Sequence, residues 1–434
     1  MSLSLPGPAG SRLFFEPSST VPIVHLSLSL RTGGATDPAG REGLARLTTR
    51  MLRMGTRRLS AEAVEDRIDA LGAHLGVSTG LSYTHVAGTV VARNVEPFFA
   101  LVSELLREPA FRTRDVKQLK RETAAALEAV QDDDGALVGR CFRASALVDH
   151  PYGRPVSGSR TSIRRLDRSA IREHHDRGWV GSNVVVGLSG PLTEEEAKSL
   201  VDRHLGWLPR GKRPVVTVQA PRFVPGRRLI IVDKPDRSQT QVLIGTLGSH
   251  ARDPDHVAVC VANTAFGGLF TSRLTTEVRS KRGWSYGASS GFGQQPKRDL
   301  WTMRTAPADR DAKACIALQL DLLQELIDAP LKHRELRAAK DYLIKSLPFE
   351  EDTAGKRLDH AIDAVLFELP KGYRESFPRN VKRVTRDSAH DAVRKRLSSK
   401  DQLIVVVATA SKLQRSLSEL PGLSDVRVIP FNRV

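Results

Sequence analysis

Two sets of residues have types and spacings that bear on chemistry. The first is Arg46, Thr49 and Arg50, within Gly43-Leu44-Ala45-Arg46-Leu47-Thr48-Thr49-Arg50-Met51-Leu52. Leu44, Leu47 and Met51 recur at i, i+3 and i+7, which predicts an amphipathic helix. Neither arginine can give up a proton to ligate a metal, and a threonine is no general base near neutral pH. The second set is Arg279 and Tyr286, seven residues apart. Leu274 and Val278 mark the buried face of a short helix, Gly283 can end it in a left-handed cap, and Tyr286 then opens the next strand. A planar fork of donors and one hydroxyl can converge there on a peptide carbonyl or a developing oxyanion. The plainer alternative is that Arg273, Arg279, Lys281 and Arg282 form a solvated face and Tyr286 a core-edge aromatic.

Other groups promise less. His174-His175-Asp176 has metal-ligand types, but neighbours on a helix point about 100° apart, and a surface helix end is expected. His25 has no partner at ligand spacing and is read as a packing or rim residue. Cys141, Cys260 and Cys315 are few, far apart and odd in number, as buried free thiols in a reducing compartment would be. Gly267-Gly268 reads as a helix end; no P-loop Lys-Ser/Thr follows it.

The elements that must position these residues run in order. Leu13–Pro17 and Val21–Leu30 read as strands, the second alternating Val24, Leu26, Leu28 and Leu30 against Ile23, His25, Ser27 and Ser29. Helices are predicted up to Gly55, over about 60–71, 95–106 and 114–131, with a β stretch over 81–91. A strand over 183–188 and a helix over 193–204 close the first half. Pro209, Pro214, Pro221 and Pro225, among several Lys and Arg, mark an extended linker. The pattern then restarts: strands 229–233 and 239–247, a helix from about Pro254 to Phe266, helices over 312–329 and 333–345, and a buried strand over 403–408. The chain thus reads as an α+β protein of two copies of one mixed α/β sandwich-like unit of about 210 residues, over 1–212 and 228–434 with a linker at 213–227.

The 434 residues suffice for two or three domains, and 40% hydrophobic with 5% aromatic residues suits aliphatic cores. The net charge of +17 favours acidic partners. Its basic residues are spread out and no recognition motif with interleaved aromatics occurs, so no nucleic-acid partner is expected. No apolar run long enough to span a bilayer stands out, and the start lacks a signal-peptide pattern, so a cytoplasmic location is expected, or a periplasmic one if the start codon is mis-assigned.

Asn263 to Tyr286 resembles, almost continuously, the second-half signature of the pitrilysin/insulinase-like (M16) peptidases, the family of mitochondrial processing peptidase. The Gly267-Gly268 turn, Ser272-Arg273-Leu274, Glu277-Val278-Arg279 and Arg282-Gly283 through Tyr286 all fall in place. In the first half the same apolar frame carries H-x-x-E-H in active members, where two histidines hold zinc and the glutamate activates water. Those places are Arg46, Thr49 and Arg50 here. The third ligand, a glutamate on a later helix, corresponds to a position at or beside Ala129, with Glu128 next to it. The resemblance covers about residues 13–408 and implies the mitochondrial processing peptidase-like (LuxS/metallopeptidase) fold. It further implies a zinc-free subunit forming half of a clam-like chamber. Gly267, Gly268, Arg279 and Tyr286 would bind an extended peptide, and the Arg/Tyr pair would polarise its carbonyl. No cofactor is expected in this chain. Zinc would come from an H-x-x-E-H-bearing partner, and the isolated chain could pair with itself. A non-enzymatic scaffold or peptide-binding protein of the same fold is the alternative.

Overall fold

A computed structural model describes residues 2–214 and 218–434. Part of the linker expected over 213–227 therefore falls outside the described residues. The chain forms two compact units, and they are not contiguous in sequence. The first comprises Met1–Leu127, Arg154–Val218 and Pro348–Glu368; the second comprises Glu128–Gly153, Gln219–Leu347 and Leu369–Val434. A division at 212 and 228 misses this exchange: each unit takes one helix from the other half of the sequence.

The first unit is built on six strands: β1 (Leu3–Pro6), β2 (Arg12–Pro17), β3 (Ile23–Leu30), β4 (His74–Thr79), β5 (Thr84–Val91) and β6 (Val184–Gly190), in the order β1-β2-β6-β3-β5-β4. β2 runs parallel to β6, and β3 lies antiparallel to β5 and β6. Val24, Leu26, Leu28 and Leu30 of β3 enter the main core, where Phe98, Phe99 and Leu105 of the Val95–Arg107 helix cover them. The opposite face, expected to be open, is covered too: Ser27 and Ser29 are buried. The cause is the Ala354–Leu366 helix, whose Leu358, Ile362 and Leu366 pack on Phe14 and Val185 at i, i+4 and i+8 spacing. Gly187 makes this close approach possible, because a Cβ there would lie 2.5 Å from Ile362 Cδ1.

The second unit repeats the scheme with β7 (Arg227–Asp233), β8 (Gln241–Leu247), β9 (Ala288–Phe292), β10 (Leu300–Thr305), β11 (Leu403–Ala408) and β12 (Leu423–Pro430), in the order β12-β7-β11-β8-β10-β9. β7 is parallel to β11, and β8 is antiparallel to β10 and β11, matching the first unit strand for strand. Only the outer edge differs: β12 is parallel to β7, whereas β1 is antiparallel to β2. The inserted element here is the Asp134–Ala146 helix. Arg143 on it forms a two-pronged ion pair with Asp299 at 2.9 and 3.1 Å, and Asp299 is only 2% exposed. Lys234 ties its start, donating to Asp134 Oδ1 at 2.6 Å and Gln131 O at 2.7 Å.

One helical run, His256–Ser280, has the length and composition to cross a bilayer, contrary to the sequence expectation. It is mostly buried, as the central helix of the second core would be: Val259, Val261, Phe266, Leu274 and Val278 are inaccessible. The three cysteines are free. Burial pushes their thiols up, to about 11 at Cys141 and Cys315 and about 12 at Cys260, so they are unreactive at neutral pH.

Candidate functional site

The helix at 44–51 forms as its apolar spacing requires, with Leu44, Leu47 and Met51 buried. Gly43, at φ 94°, precedes it in the left-handed region. The first N–H groups there, which no earlier turn of the helix can satisfy, are taken up by the buried Asp37 side chain, which accepts from Gly43 N at 2.8 Å and Ala45 N at 2.9 Å. Thr49 is buried; its hydroxyl donates to Ala45 O at 2.7 Å and accepts from Thr79 Oγ1 at 3.1 Å. Arg50 reaches across to the Thr113–Ala129 helix, where it meets Thr123 Oγ1 at 3.2 Å and Glu122 Oε2 at 3.3 Å. Burial and the neighbouring Arg50 charge both draw the Arg46 pKa down. The side chain at each of these positions is a cation or is committed to internal hydrogen bonds, so the residues do not fit zinc. No cluster of three His, Cys, Asp or Glu able to hold a metal occurs among the described residues. Ala129 is the exposed last residue of its helix, and the part of that helix facing Arg50 lies about two turns earlier.

His175 departs from the surface position expected of it. It is buried, with its ring 5.4 Å from Phe111 and 6.3 Å from Trp179. His175 Nδ1 also lies 3.1 Å from Asp176 Oδ1, and burial pulls the neighbouring His174 down to about 4.

The second constellation sits on an irregular part of the central helix. The α-helix of His256–Asn263 widens into a π-helical turn at Thr264–Gly268, and a second such turn spans Thr276–Ser280. Wide turns of this kind re-aim side chains and recur at functional sites. Gly267 is buried because β9 passes against it: a Cβ would overlap Ser290 Oγ and lie 2.7 Å from Ser290 N. That packing accounts for the glycine, whereas Gly268 is exposed. Asn263 locks the turn to the sheet, its Oδ1 accepting from Ser290 Oγ and Trp301 Nε1, each at 2.7 Å. Gly283, at φ 65°, ends the run as expected, with its N–H on Arg279 O at 2.9 Å. Tyr286 lies two residues before β9, not in it, and the buried Ser285 anchors its loop by accepting from Ala306 N at 2.9 Å.

The four basic residues of this segment do not behave alike. Arg273 is paired with Glu335 at 2.6 and 2.8 Å; Lys281 and Arg282 share Glu277 at 2.6 and 2.7 Å. Arg279 has no hydrogen-bonded or acidic side-chain partner among the described residues. Its guanidinium carbon instead lies over two aromatic rings, 4.4 Å from the Phe270 centroid and 4.6 Å from that of Tyr286. Those rings are 69% and 86% exposed, among the most accessible large apolar groups of the chain. Sequence reasoning found Arg279 and Tyr286 but missed Phe270. Its signal was an aromatic residue just after a Gly-Gly turn, with no apolar periodicity to bury it.

Residues 13–160 match the family model for insulinase (peptidase family M16), and residues 165–343 match that for the peptidase M16 inactive domain. The chain belongs to peptidase family M16. Among M16 relatives, it is 29% identical over 288 residues to an uncharacterized zinc protease of Mycobacterium leprae, covering 66% of this chain and 64% of that one. A zinc protease of Mycobacterium tuberculosis is 30% identical over 293 residues, covering 66% and 65%. These matches thus span just under two thirds of the relatives' own length. A non-peptidase homolog of Helicobacter pylori is 21% identical over 404 residues, 92% of each chain. The M16 fold is shared with a crystal structure of a peptidase M16 inactive domain from Pseudomonas fluorescens, at TM-score 0.87 and 24% identity over 94% of this chain and 97% of that one. A protease from Helicobacter pylori superimposes at TM-score 0.85 with 16% identity, over 94% and 99%.

Proposed function

We propose that this M16 chain is the zinc-free subunit of a two-subunit metallopeptidase. It holds an extended peptide through Arg279 and Tyr286, while a companion chain bearing H-x-x-E-H completes hydrolysis. Zinc in the companion would supply the Lewis acid and the activated water. The observation that carries the reading is the contrast between the two constellations. At 46, 49 and 50 the side chains cannot grip a divalent cation. At 279 a cation has no carboxylate partner among the described residues, although its neighbours Arg273, Lys281 and Arg282 all have one. A scaffold gains nothing from an unpaired arginine clasped by exposed rings, so the alternative of a purely structural protein is disfavoured. The similarity to a relative named a non-peptidase homolog, over nearly its full length, also supports a subunit that is not catalytic alone.

The test is reconstitution with an H-x-x-E-H-bearing M16 chain from the same source. This chain alone should not cleave a fluorogenic peptide mixture, and the two together should. Arg279→Ala and Tyr286→Phe should each lower turnover by the complex at least tenfold while it remains assembled. Equal turnover with both variants would refute the role assigned to the pair.

A further inference from the structure

The first unit carries a separate constellation, on the sheet face that the Ala354–Leu366 helix crosses. Beyond Phe14 and Val185 that face continues over β3, β5 and β4, where a groove of about 460 Å³ lies alongside the helix. Strand register makes its floor from small residues, with Ser27, Ala87 and Gly76 side by side. The rows to either side are larger and polar: His25, Thr89 and His74 on one, Ser29, His85 and Ser78 on the other.

The polar groups are held in place. The His25 ring lies against Gly355 of the helix, where a Cβ would stand 3.7 Å from three ring atoms. His85 Nδ1 lies 2.8 Å from Oγ of the fully buried Ser29. Asp359 follows Gly355 by four residues, which puts it on the same side of the helix, and its carboxyl interacts electrostatically with both imidazoles.

What the groove lacks is a cation. Lys356 on its wall is taken up by Asp352 Oδ1 and Phe349 O, each at 2.9 Å. Burial draws the His85 imidazole below its ordinary 6.5, so it is uncharged at neutral pH. Asp359 has no hydrogen bond or ion pair among the described residues, in a chain with 66 Lys and Arg against 49 Asp and Glu. It is accessible from the groove, yet burial around the carboxyl raises it above the ordinary 3.8, and His85, His25 and His360 only partly offset this. Ser27, 4% exposed, adds a hydroxyl with no hydrogen-bond partner among the described residues. A metal ion does not meet this need, because no three His, Cys, Asp or Glu side chains among the described residues converge to hold one. A larger cation does: an ammonium or guanidinium carries several N–H donors and can meet a carboxylate and a neighbouring acceptor together.

We propose that this groove binds the guanidinium or ammonium group of an organic cation, with Asp359 as its counter-ion and His25 and His85 flanking it. The group belongs either to an Arg or Lys side chain of a bound peptide or to a free small cation. The groove lies wholly in the first unit and owes nothing to the roles given to Arg279 and Tyr286.

Titration calorimetry on the purified full chain tests this with two matched pairs. One is butylguanidine and its uncharged counterpart butylurea; the other is a ten-residue peptide of alanine and serine with a central arginine or citrulline. The guanidinium member of at least one pair should bind at least tenfold more tightly. A preference in both pairs means that a free cation suffices, and one confined to the peptides assigns the group to a peptide side chain. Asp359→Asn should reduce the preference to twofold or less. Gly76→Leu, which fills the floor, should weaken the guanidinium member at least fivefold; a Cβ there meets nothing closer than 3.5 Å, so the fold has room for it. Equal binding within both pairs, no binding at millimolar concentration, or a preference that survives Asp359→Asn would overturn the proposal. The peptide reading has a separate mark: Arg279→Ala should weaken the arginine and citrulline peptides alike.

Discussion

The ion pair between Arg273 and Glu335 fixes the segment that carries Arg279, and removing it should be costly. The two side chains meet through two bonds, Nε to Oε1 at 2.6 Å and Nη2 to Oε2 at 2.8 Å, and both are largely buried. Glu335 also accepts from Lys332 N at 2.8 Å, capping the His333–Lys345 helix. Glu335→Gln keeps the volume but leaves the Arg273 cation with a neutral partner. The loss of two charge-assisted bonds and the stranded charge should together cost about 2–4 kcal/mol. With a urea slope of about 2–3 kcal/mol per molar for a unit of this size, the midpoint should fall by roughly 1 M at unchanged slope. Burial alone would raise the Glu335 carboxyl, but the hydrogen bonds and charge of Arg273 outweigh it and hold it below its ordinary 4.5. The pair's contribution is therefore complete above about pH 4.5 and is lost as pH falls through the depressed value. The double variant Arg273→Met/Glu335→Leu replaces both charges with apolar groups and should cost less than Glu335→Gln alone. Urea unfolding followed by circular dichroism checks all three. A Glu335→Gln midpoint within about 0.2 M of wild type, or a double variant worse than the single, would refute the reasoning.

Three further outcomes are expected. Gly267→Ala places a Cβ against the Ser290 backbone, and should cost about 1–3 kcal/mol in thermal unfolding with β9 displaced; an unchanged melting temperature would contradict the packing role. Asp299→Asn should release the Asp134–Ala146 helix, read as new proteolytic cleavage within 128–153, and no change in cleavage would count against the Arg143 anchor. Burial holds His174 and His256 at about 4, below the ordinary 6.5, so the unfolded chain binds more protons between those values and their contribution is lost as pH falls from 6.5 toward 4. Burial pushes Asp37 up to about 7, and it contributes in the opposite sense, losing stability as pH rises from its ordinary 3.8 to 7. Stability against pH should therefore rise more steeply over pH 4–7 in Asp37→Asn than in wild type, and less steeply in His256→Asn; identical profiles would dispose of both assignments.

The local elements were legible where one apolar face meets one core. The frame of 44–51, the strands at 23–30 and 241–247 and the restart of the strand and helix pattern after the linker all follow from residue periodicity. The exchange of helices was not legible. Leu358, Ile362 and Leu366 form a clear stripe, but nothing near them in sequence shows that Phe14 and Val185 are its partners. For the same reason Ser27 and Ser29 read as solvent-facing, although a distant helix covers them. β4 escaped because Gly76 interrupts it and His74 and Ser78 break its apolar pattern. At the candidate site the pair of Arg279 and Tyr286 was visible as a motif. That Arg279 has no carboxylate among the described residues while Arg273, Lys281 and Arg282 each have one, and that Phe270 lies against it, depend on side-chain placement that spacing cannot give.

The central claim is that this polypeptide does not hold its own zinc. The most direct measurement is metal content by mass spectrometry on the pure full chain after incubation with zinc and removal of the loosely bound ion, with peptide turnover read on the same sample. The account predicts far less than one zinc per chain and no turnover. One tightly held zinc per chain accompanied by peptide cleavage would contradict it.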